Sequence, residues 1–187
     1  MLNKEHITYL GLQKIVNIKA SLNLGLSDDL KKAFPNVVPV NRLDYLHKGI
    51  IEPSWLAGFA TGESNFFITL QKSKTKSGLA VSLRFSISQP SRDFLLLKNF
   101  ISFFGCGYVV KYDKRSICEF IVTKIDHIVE HIIPYFEKYP IVGSKHFNYL
   151  KFKSAAYIIK NKGHLNSDRK GLEQILELKS GIDKFNK

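Results

Sequence analysis

The sequence predicts an α+β fold in which helices cover one face of an antiparallel sheet, in the order αββαββα. Residues 79–89 alternate apolar and polar side chains, which is the two-residue period of a strand with one buried face. A helix followed by two strands then occurs a second time, and the strands of this second pair flank a short turn at residues 113–115. Because strands joined by short turns pair antiparallel, the repeat predicts one antiparallel sheet with accompanying helices.

The first 52 residues are predicted to form a segment separate from the main domain at residues 53–187. Apolar residues at helical spacing predict a helix over residues 4–22, and Ser27 can cap a short second helix that runs through Ala33. Residues 36–53 contain prolines and show no clear period, so they are predicted to be an extended linker.

The main domain begins at Pro53, where Pro-Ser opens a helix that carries two glycines. Residues 66–72 alternate and are predicted to be a strand, and residues 72–78 form a basic turn before the strand at 79–89. In that second strand the apolar side chains point one way, and serines with an arginine point the other way. The sheet is therefore expected to have one core face and one polar face.

The second half of the domain repeats this pattern. Pro90 ends the second strand, and Ser91 caps a helix that runs to Phe104 and is closed by a glycine. The remaining predicted elements are strands at 107–112 and 117–123, a helix from about residue 125 with a second piece from Pro134, a loop at 140–144, and helices at 145–162 and 168–185.

The composition favours a polyanionic partner. The chain has 187 residues with 28 Lys+Arg against 16 Asp+Glu, a formal net charge of +12. An excess of that size is typical of nucleic-acid-binding proteins. No apolar run approaches the roughly 20 residues that span a bilayer, so no membrane partner is predicted. The two cysteines, Cys106 and Cys118, are too few for a disulfide framework and are predicted to be reduced core thiols.

The segment from Leu56 to Ser64 is an apolar stretch in which small residues stand at most positions. Gly58 and Gly62 lie four residues apart, so a helix places them on one face. A glycine in a helix interior costs about 1 kcal/mol relative to alanine. The close approach of another backbone would explain two of them, as in small-xxx-small helix pairs. Glu63 would then lie at the end of that contact, beside whatever the partner helix supplies.

Residues 56–63, Leu-Ala-Gly-Phe-Ala-Thr-Gly-Glu, resemble the defining motif of the LAGLIDADG homing endonucleases. Residues 85–89 and 105–109 are also similar to that family, as is the order of elements from about Pro53 to Lys187. Residues 21–53 resemble the linker between the halves of single-chain members. The resemblance implies that this chain is the second half of such an enzyme, preceded by the last helix of the first half, with a saddle-shaped sheet that fits the DNA major groove.

The resemblance implies a site-specific endonuclease that hydrolyses both DNA strands with Mg²⁺ or another divalent cation. Glu63 matches the acid that binds the metal, Gln89 matches a polar residue that orients solvent, and Lys145 matches a basic residue beside the scissile phosphate. A hard cation prefers carboxylate oxygens and stabilises charge on a phosphate. Small residues let two such acids come close, and the predicted helix contact consists of Ala57, Gly58, Thr61 and Gly62.

Two features depart from the family pattern. Ser64 replaces the glycine that usually ends the motif, a mild change that affects how the strand leaves the helix. Only one motif is found, because the first helix has no comparable face of small residues. One motif supplies one carboxylate, so cutting both strands is predicted to require a homodimer or a separate first half that brings a second motif.

The polar side of the predicted sheet and its turns supply the candidate DNA contacts. Arg84 is the best single candidate for guanine, because a guanidinium pairs with O6 and N7 together. The basic residues of the two turns are expected to meet phosphates. The complete set, in chain order, is Asn65, Phe67, Thr69, Gln71, Lys72, Lys74, Lys76, Ser82, Arg84, Ser86, Ser88, Lys111, Lys114 and Arg115.

Two alternatives stay open at the level of sequence. A non-catalytic RNA-binding protein, such as an intron maturase or a structural component of a large RNA assembly, would use the same basic surface, with Phe67, Tyr108 and Tyr112 available for stacking. Residues 127–131 spell the His-x-x-Glu-His pattern of a zinc hydrolase helix, but Pro134 interrupts that helix. The resemblance also suggests an organellar location, because many genes of this family lie in organellar introns.

Overall fold

The computed structural model describes residues 4–22, 24–41, 51–74, 78–166 and 168–183. The chain separates into two compact units, Met1–Leu46 and His47–Lys187, and the predicted boundary at residues 52 and 53 lies slightly later. The first unit contains helices α1 (Tyr9–Ala20) and α2 (Asp28–Ala33), which begin at hydroxyl caps as short polar side chains commonly allow. Part of the predicted linker, residues 42–50, lies outside the described residues.

The second unit has the predicted αββαββα order, which confirms the α+β prediction. Strand β1 follows the first helix without a loop, two residues earlier than the alternation predicts. The helices and strands are α3 (Pro53–Glu63), β1 (Ser64–Lys72), β2 (Leu79–Pro90), α4 (Phe94–Phe104), β3 (Tyr108–Tyr112), β4 (Ile117–Val122), α5 (Ile125–His127), a π-helical turn (Ile128–Ile132), α6 (Ile133–Lys138), α7 (Ser144–Lys160) and α8 (Lys170–Asp183).

The four strands form one antiparallel sheet in the order β1-β2-β4-β3. The two hairpins therefore join through β2 and β4, with Phe85 opposite Val122 and Ile87 opposite Phe120. All four of these side chains are buried on the side of the helices. Because successive side chains of a strand point to opposite faces, this register leaves Arg84, Ser86 and Ser88 on the other face.

The core lies between the sheet and the helices and is rich in phenylalanine. Phe85 at its centre is fully buried, and its ring centroid lies 5.3 Å from that of Phe66 and 5.6 Å from that of Phe136. Cys106 and Cys118 are buried free thiols, which confirms their prediction as core residues. Desolvation by burial raises the pKa of both thiols. Within the described parts of the chain, no helix combines the length and apolar character that crossing a membrane requires.

Replacing Phe85 by alanine is expected to destabilise the second unit by about 3–5 kcal/mol, because it opens a cavity among aromatic rings that cannot collapse fully. The matched control is Phe67→Ala on the neighbouring strand, since Phe67 is 40% exposed on the opposite face. Urea denaturation of both variants measures the two free energies of unfolding. An equal loss of stability in the two variants would contradict the assignment of the core face.

Candidate functional site

Helix α3 presents an open face of small residues. Its N-terminus is fixed because the Glu52 carboxylate accepts from the Trp55 amide at 2.6 Å and Pro53 stands at the first helical position. On one side the helix buries Leu56 and Ala60 completely against the core. On the other side Gly58 and Gly62 are exposed, and a Cβ added at either glycine meets no described atom within 4 Å. Neither glycine is therefore required by packing within the described part of the chain.

The end of α3 accommodates a serine at the position where the family motif that this helix resembles has a glycine. Ser64 is fully buried, and its hydroxyl donates to the carbonyl of Ala60 at 2.5 Å. The backbone of Ser64 is extended, so the chain passes directly from the helix into β1. The substitution leaves no buried polar group unpaired, which would otherwise cost about 1–3 kcal/mol.

Glu63, Gln89 and Lys145 converge at the C-terminal end of α3. The side-chain amide of Gln89 donates from Nε2 to Glu63 Oε2 at 3.1 Å, and Lys145 Nζ donates to the carbonyl of Gly62 at 2.7 Å. These residues come from the last turn of α3, the end of β2 and the start of α7. Two residues that are distant in sequence, Gln89 and Lys145, thus lie at the helix end that carries one exposed carboxylate.

The ammonium of Lys145 is partly desolvated beside this carboxylate. Burial lowers the pKa of Lys145, and the negative charge of Glu63 acts in the opposite direction. The two side chains therefore interact electrostatically, although a direct ion pair between them is not among those that the structure shows. A cation in that position is suited to a phosphate oxygen approaching Glu63.

The donor chemistry around Glu63 fits a hard divalent cation. The Glu63 carboxylate is exposed, and Gln89 keeps its amide oxygen as an acceptor because its nitrogen donates to Glu63. Mg²⁺ and Ca²⁺ prefer such oxygens and take water or phosphate for their remaining positions. Among the described residues no group of three or more His, Cys, Asp and Glu side chains is placed to hold a metal.

The His-x-x-Glu-His pattern does not assemble a zinc site in the described structure. The imidazole rings of His127 and His131 have centroids 5.9 Å apart, but a π-helical turn replaces the regular α-helix at Ile128–Ile132. Glu130 accepts from Lys160 at 3.3 Å. Since no third ligand joins the two histidines within the residues described, the zinc alternative has no structural support.

The polar face of the sheet brings most of the predicted DNA contacts together. Phe67 is opposite Arg84 and Thr69 is opposite Ser82, so these side chains share the face that the helices do not cover. Asn65, Phe67, Thr69, Gln71 and Ser82 are exposed there, whereas Arg84 and Ser88 are half-buried. Lys74, Lys114 and Arg115 are exposed in the two turns.

Four predicted contact residues are not among the exposed residues of the polar face that the structure describes. Ser86 points to the polar face but is fully buried, so the expectation of an open face is wrong at that position. Lys72 and Lys111 are opposite Leu79 and Cys118, so strand alternation directs them to the helix side of the sheet instead of the polar face. Lys76 lies outside the described residues.

Sequence reasoning missed Glu119, a carboxylate on the polar face in the middle of β4. It is 8% exposed, and it accepts from Arg84 Nη2 and from the Tyr112 hydroxyl, the latter at 3.3 Å. The available signal was a single acid in an otherwise apolar strand, flanked by Cys118 and Phe120. Only the pairing of β4 with β2 shows that this acid lies on the same face as Arg84.

These features define a class of protein, an αββαββα domain whose helix of small residues carries one acid to an exposed end. Residues 56–156 match the family described as LAGLIDADG endonuclease. Because this match covers more than half of the chain, the chain belongs to the LAGLIDADG endonuclease family.

Curated relatives and solved structures agree with this membership. The chain is 48% identical over 192 residues to "Probable intron-encoded endonuclease 2" of Neurospora crassa, covering 97% of this chain and 41% of that protein. It is 38% identical over 164 residues to "Probable intron-encoded endonuclease 3" of the same fungus, covering 87% of this chain and 31% of the relative. The chain therefore spans less than half the length of these curated relatives.

The fold is similar to that of the I-SmaMI LAGLIDADG homing endonuclease bound to cleaved DNA, with a TM-score of 0.91 and 42% identity. That match covers 98% of this chain and 61% of the I-SmaMI chain. A structure of I-SmaMI bound to an uncleaved DNA target in the presence of calcium ions gives the same TM-score and identity, over 98% of this chain and 62% of that one.

Proposed function

We propose that this chain is the DNA-cleaving half of a site-specific homing endonuclease, which hydrolyses both strands of a DNA target with Mg²⁺ or another divalent cation. The observation that carries the proposal is the convergence of Gln89 and Lys145 on the exposed Glu63. A lone acid at a helix end would be an ordinary surface residue. An acid with an amide bonded to it and a partly desolvated cation beside it has the composition of a site for phosphodiester hydrolysis.

Each residue of this cluster has a distinct proposed role. Glu63 would hold a divalent cation, which supplies charge stabilisation to the scissile phosphate and activation of a water molecule. Gln89, which is bonded to Glu63 at 3.1 Å, fixes the orientation of the carboxylate and offers its amide oxygen to solvent. Lys145 places its positive charge where a phosphate oxygen approaches the acid.

The polar face of the sheet would place the DNA over this cluster. Glu63 immediately precedes β1, and Gln89 lies near the end of β2, so the acid stands at one end of the antiparallel pair that β1 and β2 form. A sheet whose polar side chains follow the major groove thus brings a backbone phosphate to the same end. Structures of I-SmaMI with cleaved and uncleaved DNA support DNA as the substrate class.

A second motif would complete the site. Among the described residues, Glu63 is the carboxylate whose charge acts on Lys145, whereas two carboxylates and two scissile phosphates are needed to cut both strands. The exposed Gly58 and Gly62 allow another helix backbone to approach α3 closely. We propose that another copy of this chain or a separate half supplies that helix through a contact at Gly58, Thr61 and Gly62. Ala57, which the sequence also predicts for this contact, is only 7% exposed and is therefore largely covered by its own chain.

We expect binding to duplex DNA to weaken steeply with salt, because each phosphate that a lysine or arginine neutralises adds about 0.9 to the slope of log affinity against log salt. Lys114→Ala is expected to lower that slope by about one, since Lys114 is exposed in the β3–β4 turn. Lys98→Ala on α4, within the helix layer, is the matched control. Fluorescence anisotropy across a salt series measures the slope, and a flat response would refute the nucleic-acid proposal.

RNA binding without cleavage is the second candidate function. Phe67 and Tyr108 are 40% and 48% exposed on the sheet, and exposed aromatic rings are typical of RNA-reading sheets. Competition between labelled duplex DNA and structured RNA of equal length separates the two functions. Preference for RNA, together with no Mg²⁺-dependent DNA cutting, would favour the RNA-binding alternative.

We also propose an organellar location on the basis of the same comparisons. Other similar proteins are named for introns, including an "Uncharacterized 50.9 kDa protein in ND4 intron 1" of Podospora anserina, which is 33% identical over 118 residues. We place the chain in mitochondria on this basis, and fractionation of the source cells tests the placement.

A further inference from the structure

The register of the sheet shows that Arg84 and Glu119 are hydrogen-bonded although they are not directly opposite each other on their strands. Ser88 is directly opposite Glu119, and Ser86 is directly opposite Ile121. Arg84 is therefore displaced along β2 from the position opposite Glu119, and Ser86 and Ile121 lie between them on the same face. Nevertheless, Arg84 Nη2 donates to Glu119 Oε2.

The guanidinium can reach Glu119 only by running along the polar face past the two intervening residues. Ser86, which is 0% exposed, and Ile121, which is 4% exposed, lie along this path on the face opposite the helices. The arginine side chain is thus folded down onto the sheet. It is positioned by a specific contact and does not extend freely into solvent.

The side chains of Arg84 and Glu119 differ in the fraction of their surface that is exposed. The side chain of Arg84 is 36% exposed, whereas that of Glu119 is 11% exposed. The Tyr112 hydroxyl donates to the same carboxylate oxygen at 3.3 Å. The acid is therefore enclosed by its donors, and the guanidinium keeps an open edge. Because a guanidinium carries five N–H donors in a fixed fork, one bond to Glu119 leaves others for a ligand.

Two polar atoms beside this pair have no partner among the described residues. They are Arg84 Nε and Ser86 Oγ, and both are buried. Buried polar groups are nearly always hydrogen-bonded in folded proteins, so these two atoms are available to an ordered water or to a polar atom of a ligand. A carboxylate on a DNA-binding face would repel phosphates unless a cation offset it, and Arg84 provides that cation.

Resting on the proposed function, we infer that Glu119 is a specificity-determining positioning residue. It holds the guanidinium of Arg84 at one point across the sheet, so that the open edge reads a single guanine in the major groove instead of reaching a phosphate. A freely rotating arginine would contact many backbone positions and contribute affinity without sequence preference. An arginine that is fixed at both ends of its side chain meets only the base pair that lies above it.

The test is selection of bound duplexes from a randomised DNA library by the full chain, with sequencing of the bound pool. For the wild type we expect a preference for guanine at one position, on the order of tenfold to a hundredfold. Glu119→Gln is expected to lose this preference at that position alone while binding non-specific DNA at least as tightly, because one negative charge is gone. Arg84→Lys is expected to lose the same preference with its charge retained.

Asp113→Asn in the β3–β4 turn is the matched control, since it also removes one negative charge from the sheet end. It is expected to leave the base preferences as in the wild type. The double variant Arg84→Ala/Glu119→Gln is expected to bind more tightly than Arg84→Ala, in which the carboxylate faces DNA without its cation. Thermal unfolding of every variant checks that the fold is retained.

The outcomes separate this inference from the proposed function. If the wild type selects a guanine and Glu119→Gln keeps that preference, Glu119 does not set specificity, whether or not Arg84→Lys loses the preference. Sequence-selective duplex binding without that guanine preference overturns the inference and leaves the nuclease proposal standing. Duplex binding without preference at any position overturns the inference together with the site specificity of the proposed function. Absence of duplex binding by the wild type overturns both.

Discussion

Replacing Glu63 by glutamine is expected to abolish Mg²⁺-dependent DNA cleavage while leaving DNA binding nearly unchanged. Glutamine has almost the same size and can still hydrogen-bond to Gln89, which lies 3.1 Å from the carboxylate. It lacks the negative charge that a hard cation requires. Metal-assisted charge stabilisation contributes several kcal/mol to such reactions, so we expect a loss of about a thousandfold or more in cleavage rate.

The measurement is sequencing of cut ends after incubation of the chain with a DNA library and Mg²⁺. Glu173→Gln is the matched control, because Glu173 is an exposed acid on α8 and lies outside the cluster. Binding measured with Ca²⁺ in place of Mg²⁺ separates loss of chemistry from loss of affinity. Cutting by Glu63→Gln at the wild-type rate would eliminate the metal role of this residue and with it the proposed mechanism.

The Gln89 and Lys145 variants are informative within the same assay. Gln89→Ala removes an orienting bond and Lys145→Met removes a charge near the phosphate, but both retain the Glu63 carboxylate. Their losses are therefore expected to be smaller than that of Glu63→Gln. A lysine effect confined to the cleavage step, with binding unchanged, would support its placement beside the scissile phosphate.

Replacing Gly58 by leucine is expected to leave the chain folded but to prevent assembly with a second motif. An added Cβ at Gly58 meets no described atom within 4 Å, and leucine is favoured over glycine in a helix by roughly 0.8 kcal/mol. The thermal stability of the isolated chain should therefore stay equal or rise. Across a close helix contact, overpacking costs about 1–3 kcal/mol per inserted side chain, or about tenfold to a hundredfold in affinity.

Analytical ultracentrifugation with and without duplex DNA measures this assembly, and the cleavage assay should fall in parallel. Ser102→Leu on α4 is the matched control, because it adds the same exposed apolar group at a site away from the glycine face. If Gly58→Leu assembles and cuts like the wild type, α3 does not meet a partner through its glycines.

Much of this architecture could be read from local patterns. The alternation of residues 79–89 predicts β2 and its two faces, and the spacing of Gly58 and Gly62 predicts an open helix face that the structure contains. Such patterns depend on neighbours within a few residues, because backbone propensity and the period of side-chain burial are local properties of the chain. For the same reason the capped helices were largely predictable, with errors of a few residues at their ends.

The amino-acid sequence by itself determined which elements form, where small residues replace bulky ones and which acid ends the motif helix. Only the tertiary structure decided that β2 pairs with β4, which places Glu119 beside Arg84 and buries Ser86. It also decided that Lys145 and Gln89 meet at Glu63, although they are 82 and 26 positions away along the chain. Strand order and side-chain convergence depend on how the whole core packs, and no short window of sequence contains that information.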